Sequence, residues 1–255
     1  MLLAIDLGNT ETVLGLFDKS ALASHWRIAT SAERTADEHA LLVSQLLDLD
    51  GYRFDDAVSG IVISSTVPRL TATLRAMSMR WSAVSVVVLE PGVRSGMPIL
   101  YDNPKEVGAD RIANAVGAYE LYGGPSIVVD FGTSTNFDVI SAAGEYLGGA
   151  IAPGVEISMD ALFGRAAALR RVELVEPRNV IGKSTVESIQ SGVLYGFAGQ
   201  VDGIVERVLV ELGGTASVVA TGGLSGVMAP LCRTVEHTDP WLTLHGLRLV
   251  FDRNT

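Results

Sequence analysis

The chain has 255 residues, 48% of them hydrophobic and 19% charged, a balance that belongs to folded globular proteins and excludes intrinsic disorder. Its 19 basic and 29 acidic residues leave a formal charge of −10, which argues against a sequence-independent grip on nucleic acid or an anionic membrane but leaves room for a local phosphate pocket. The longest apolar stretch, residues 83–89, is less than half a membrane span, no basic segment opens the chain, and the single Cys232 cannot form an internal disulfide. The expectation is therefore a soluble, cytoplasmic protein with no membrane or nucleic-acid partner. The four histidines share no metal-ligand spacing, so no structural zinc is expected.

Taken in chain order, residues 4–10 read Ala-Ile-Asp-Leu-Gly-Asn-Thr, an apolar β-type run ending in a polar turn, and residues 11–17 form a second β-like run. An amphipathic helix is predicted over 37–47 and strands over 61–64 and 84–89. Asn103-Pro104 supplies a cap and a first-turn proline for a helical segment over 105–110, and a helix follows over 112–121. Residues 128–134, Val-Val-Asp-Phe-Gly-Thr-Ser, then repeat the form of the first turn, with another β-like run over 135–140 and Asp130 standing 124 positions after Asp6. Residues 148–185 carry enough Gly and Pro to read as loops and short helices. A long helix is predicted over 186–212, where glycines 192, 196, 199 and 203 suggest close packing against another helix. The run 217–220 ends in Thr221-Gly222-Gly223, and 241–250 reads as a helix leading into a short strand. An offset close to half the length predicts an α/β protein of two similar halves, 1–115 and 116–255, each opening with a hairpin whose turn faces a common cleft.

An Asp-x-Gly-x-Thr turn matches what phosphate chemistry requires. Glycine admits backbone N–H groups to an oxyanion, hydroxyls donate to phosphate oxygens, and a carboxylate holds a metal ion directly or through water. One such turn is explained equally well by hairpin geometry. Two copies at equivalent positions, with a late Ala220-Thr221-Gly222-Gly223 turn, favour phosphate binding. Asp110 near a helix start suits the helix dipole on its own account, and Thr185 is a candidate helix N-cap. Gly182-Lys183-Ser184 is not a Walker loop, since Pro177 occupies the place of its first glycine.

The paired turns and the late glycine turn resemble the phosphate and adenosine elements of the acetate kinase, sugar kinase, Hsp70 and actin superfamily. Residues 103–111 (Asn-Pro-Lys-Glu-Val-Gly-Ala-Asp-Arg), 146–154 (Tyr-Leu-Gly-Gly-Ala-Ile-Ala-Pro-Gly) and 181–185 (Ile-Gly-Lys-Ser-Thr), with Asp239-Pro240-Trp241 and Gly246-Leu247-Arg248, further resemble the type III pantothenate kinases. Ser134 and Asn136 stand where that family often has Ala and Thr.

The resemblance implies two ribonuclease H-like, actin-like ATPase halves with a cleft between them, and phosphorylation of pantothenate by ATP with Mg2+, the first step towards coenzyme A. It implies an ATP phosphate loop of Asp6, Leu7, Gly8, Asn9, Thr10, Glu11, Thr12 and Val13, joined by Thr133. Asp6 would organise magnesium through water and Asp130 a monovalent cation, K+ or NH4+. Tyr101, Gly108, Ala109, Asp110, Arg111 and Thr185 would bind pantothenate, with Asp110 as the catalytic proton acceptor. The resemblance also implies a homodimer in which Thr185 completes the partner's pocket. A nucleotide-dependent switch or assembly protein of the same superfamily, or a kinase for another small metabolite, is the alternative.

Overall fold

The computed structural model describes residues 1–166 and 169–255. They divide into two compact units, one comprising residues 1–117 with 242–255 and the other residues 118–241. The sequence reading divides the chain once, at 115/116, whereas the first unit extends to residue 117 and also takes the last fourteen residues.

In the first unit, strands β1 (Leu2–Leu7), β2 (Glu11–Asp18), β3 (Ala21–Ala29), β4 (Gly60–Ser65) and β5 (Ser85–Val88) form one sheet in the order β3-β2-β1-β4-β5. β1 runs antiparallel to β2 and parallel to β4. Helices α1 (Ala36–Leu49) and α3 (Pro68–Trp81) cover one face, and the short α2 (Phe54–Ala57) lies between them in sequence. The helical period places His39, Val43 and Leu47 of α1 inward. A reciprocal Thr35–Glu38 capping box starts that helix, an arrangement that contributes about 1 kcal/mol. The core on this face joins Leu3, Ile5 and Leu7 to Ile61, Ile63, Val43, Leu47, Leu70 and Leu74. Burial of each such side chain contributes about 1.5–3 kcal/mol.

The second unit repeats this order. Strands β6 (Ser126–Phe131), β7 (Ser134–Ile140), β8 (Tyr146–Pro153), β9 (Ser217–Thr221) and β10 (His237–Thr238) are arranged β10-β9-β6-β7-β8, so its first strand again runs antiparallel to its second and parallel to its fourth. Both units therefore have the mixed five-stranded topology of a ribonuclease H-like half. The core of the second unit packs Ile127, Val129, Phe131 and Phe137 against α5 (Val155–Arg165) and α6 (Thr185–Glu211), and the short α7 (Ser225–Met228) adds Met228. α4 (Ala109–Tyr122) carries the chain from the first unit into the second, and α8 (Leu242–Asp252) brings it back.

Several local expectations are corrected. Residues 148–185 hold the short helix α5 and irregular segments, as expected, but they open inside strand β8, which the glycine pattern does not predict. Pro104–Glu106 forms a separate 3-10 turn, capped by Asn103 Oδ1 on Lys105 N–H at 3.3 Å, and α4 begins anew at Ala109. No strand follows α8 among the described residues. The cap of α6 is Ser184, whose hydroxyl accepts from Glu187 N–H at 3.2 Å, and Thr185 is the first helical residue. Along α6, a Cβ at Gly192, Gly196 or Gly199 would meet no atom within 4 Å, so the close helix partner predicted for these glycines is not found within the described chain. Neither β3 nor α3 is apparent from the hydrophobic pattern. β3 is packed on one side only, and α3 mixes Arg, Thr and Ser into its apolar period.

Candidate active site

The first turn links β1 to β2, and the fold explains its shape. Gly8 N–H donates to Glu11 O at 3.0 Å. Thr30, just beyond β3, braces the turn from the side: its hydroxyl donates to Gly8 O at 2.9 Å and lies 2.8 Å from Thr12 Oγ1, while its N–H donates to Thr10 O at 2.9 Å. Thr30 was missed by motif reading because its role depends on strand pairing across β2 and β3. The candidate residues therefore divide. Asn9 and Thr10 are exposed at the tip and Gly8 is half-buried. The Leu7 side chain is in the core, Thr12 is buried against Thr30, and Glu11 pairs with Arg27 at 2.9 Å. Leu7 thus has only its backbone to offer a ligand. Asp6 and Val13 are half-buried register partners at the turn's base.

The second turn, β6 to β7, is assembled from three separate segments. Gly132 N–H donates to Ser134 O at 3.0 Å, and Gly154, at the junction of β8 and α5, donates to Thr133 O at 3.2 Å. Thr133 itself is exposed. Gly222 of the late glycine turn has φ +90°, and a Cβ there would lie 2.4 Å from Asp130 Oδ1 and 2.7 Å from the Phe131 backbone. Only glycine meets both demands. The structure thereby brings the Asp130 carboxylate and residue 222 together, a contact that their sequence separation conceals.

The acceptor candidates of the first unit gather at the start of α4. Asp110 Oδ1 accepts from Arg111 N–H at 2.9 Å, and Arg111 is buried at 7% exposure, which rules out the surface ion pair that its type would suggest. Burial raises the Asp110 carboxyl above the ordinary carboxylate range, opposed by the Arg111 hydrogen bond and charge. A carboxylate made more basic in this way is better suited to accept a proton. Gly108 and Ala109 border a pocket of about 870 Å³ whose wall also includes Thr66, Arg75, Glu90 and Lys105. Tyr101, Asp110 and Arg111 do not line it, though Asp110 follows Ala109 directly. Tyr101 is half-buried in the first unit, and Thr185 is exposed at the start of α6 in the second. Lys183 is exposed ahead of it, as expected of a loop lysine.

Among the described residues, no group of three or more His, Cys, Asp or Glu side chains could hold a metal ion. Magnesium is commonly bound without such a cluster, through one or two carboxylates and the oxygens of a phosphate ligand. Asp6, at the base of a hydroxyl-bearing turn, fits that donor set.

Residues 2–207 match the sequence profile described as type III pantothenate kinase. A protein named type III pantothenate kinase from Acidothermus cellulolyticus is 58% identical over all of this chain and 99% of its own length. One of the same name from Moorella thermoacetica is 55% identical over the whole of both. This chain belongs to the type III pantothenate kinase family. Among solved structures, component A of the Acidaminococcus fermentans (R)-2-hydroxyglutaryl-CoA dehydratase aligns with a TM-score of 0.58 at 16% identity, covering 98% of this chain and 95% of that one. The ROK hexokinase of Thermus thermophilus aligns with a TM-score of 0.52 at 16% identity, covering 98% and 97%. These likenesses show the shared fold. Residues 103–111 occupy the 3-10 turn and the first turn of α4, where Asp110 and Arg111 lie.

Proposed function

We propose that this protein transfers the γ-phosphoryl group of ATP to the primary hydroxyl of pantothenate, yielding 4'-phosphopantothenate and ADP in the first step towards coenzyme A. The observation that carries this reading is the Asp110 carboxylate, made more basic by burial, beside the buried Arg111 at the start of α4. Asp110 takes the hydroxyl proton as that oxygen bonds to the γ-phosphorus and the bond to the ADP oxygen breaks. The loose transition state asks the protein chiefly for positioning and charge compensation. Arg111, Tyr101 and the backbone at Gly108 and Ala109 hold the acceptor, with Arg111 suited to its carboxylate. Asp6 through Val13 and Thr133 hold the phosphates. Bound magnesium supplies charge neutralisation on the phosphate oxygens. The supporting comparison is full-length relationship to proteins named for this activity.

The test is an ATP-dependent phosphorylation assay across pantothenate, small sugars and acetate, with and without K+ or NH4+. Product with pantothenate alone is expected, and product with a sugar but not pantothenate would overturn the assignment. Asp130 is assigned to the monovalent cation, so Asp130→Asn should flatten the K+ and NH4+ response while Asp6→Asn impairs turnover at every salt composition. Wild-type activity indifferent to both ions removes Asp130 from this role.

The same reading makes the protein a cytoplasmic homodimer whose Thr185 completes the acceptor site of the other chain. The unmet glycines along α6 support a partner for that helix, the exposed Ile181 and Val186 at its start add apolar surface, and two-fold pairing is the commonest soluble assembly. Mixing inactive Asp110→Asn chains with Thr185→Trp chains should restore part of the activity, because a heterodimer collects both defects in one pocket and leaves the other intact. Verified heterodimers without recovery would defeat the shared site.

A further inference from the structure

Beside Asp6 the first unit carries a hydroxyl that the phosphate-turn motif does not include. In the parallel pair β1 and β4, Asp6 is in register with Ser64, and laterally paired residues of a sheet project from the same face. Leu3, Ile5, Leu7, Ile61 and Ile63 take the other face, in the apolar core. Ser64 is 0% exposed, and its Oγ has no hydrogen-bond partner among the described residues. The next two hydroxyls show what a structural role looks like here. Ser65 Oγ accepts from Val67 N–H at 3.1 Å and lies 3.2 Å from Val67 O, and Thr66 Oγ1 donates to Leu7 O at 3.4 Å. An unsatisfied buried hydroxyl costs stability, and a water or ion that arrives with a ligand is one partner that would remove that cost.

The second unit repeats the placement. Asp130 is in register with Thr221 on β9, and Thr221 is 1% exposed. In both halves the turn aspartate therefore has a buried hydroxyl residue as its neighbour on the adjoining parallel strand, although the strand sequences themselves differ.

We propose that Ser64 is a positioning residue of the nucleotide site: beside Asp6, its Oγ accepts a hydrogen bond from a water of the magnesium that accompanies ATP. This rests on the reading that Asp6 organises that ion. Magnesium keeps several waters when it binds through one or two carboxylates and phosphates, and those waters need fixed acceptors. A neutral hydroxyl meets the need without placing a second negative charge near a triphosphate. Mounting it on a central strand holds it more rigidly than a loop would.

The experiment uses the full-length protein with Mg2+ and a non-hydrolysable ATP analogue, without pantothenate. Binding is followed by calorimetry with Mg2+ and with EDTA for the wild type, Ser64→Ala, and the isosteric pair Ser64→Thr and Ser64→Val. Loss of an outer partner of a metal site typically costs 10–100-fold in affinity. Ser64→Ala should therefore weaken Mg2+-dependent binding by about tenfold or more. It should leave EDTA binding unchanged and should not lower the thermal midpoint, since the orphan hydroxyl is removed. Ser64→Thr should bind closer to the wild type than Ser64→Val does. Wild-type binding by Ser64→Ala, an equal loss with and without Mg2+, or a loss that tracks a lowered thermal midpoint overturns the Ser64 assignment alone. Wild-type binding that is indifferent to Mg2+, or undiminished by Asp6→Asn, overturns the Asp6 reading itself and the Ser64 proposal with it.

Discussion

Asp110→Asn should lower kcat by about 10²-fold or more while leaving the fold and ATP binding intact, because the amide keeps the shape and loses the proton acceptor. Burial is the dominant influence on this carboxyl, raising its pKa despite Arg111, and two consequences follow. In the wild type, kcat should rise with pH through a pKa above the ordinary aspartate value of about 3.9, and that limb should be absent from the residual activity of the variant. For stability, a raised folded-state pKa contributes stabilisation that is fully present below the unfolded value and is lost as pH rises through the folded one. At neutral pH the ionised carboxylate is therefore a net cost, so Asp110→Asn should melt no lower than the wild type. A folded variant with near-normal turnover, measured by coupled ADP release, would remove Asp110 from its role.

Gly246→Ala should destabilise the first unit strongly, even though alanine is the better helix former. A Cβ at Gly246 would lie 1.8 Å from Ala113 O and 2.5 Å from its carbonyl carbon. α4 and α8 thus meet backbone to backbone, with Thr243 Oγ1 donating to Asn114 Oδ1 at 2.6 Å beside the contact. The intrinsic helical gain is at most about 1 kcal/mol. Overpacking costs about 1–3 kcal/mol where side chains can yield, and more where they cannot. Here the obstacle is main chain, so the steric cost wins by about 2 kcal/mol or more, roughly a 4–8 °C fall in Tm at this chain size. Gly164→Ala in α5, where a Cβ meets nothing within 4 Å, is the control and should be neutral or slightly stabilising. Equal melting of Gly246→Ala and the wild type would contradict the packing of α8.

Local sequence was sufficient wherever a signal is carried within one element and its flanks. The hairpins at Asp6 and Asp130 are legible because each is a buried apolar strand ended by a Gly-containing turn. Ser217–Thr221 follows the same logic, and α1 shows its helical period. The start of α4 was legible to within a few residues, although the 3-10 turn before it was not separated. β8 was obscured by its glycines, since it is a strand whose small residues read locally as turn signals. α5 follows directly after Pro153-Gly154, which read as a break.

The residue types of the site, and through resemblance its family, were therefore set by sequence alone. Their environment was not. Thr30 against Thr12, Gly222 against Asp130, Gly154 against Thr133, Ser64 beside Asp6 and the burial of Arg111 all depend on segments far apart in the chain. So does the return of α8 to the first unit. Hydrophobic period and turn chemistry encode what one strand or helix does over a few residues, whereas parallel register and helix contact are set by which distant faces bury one another, and that only the folded chain decides.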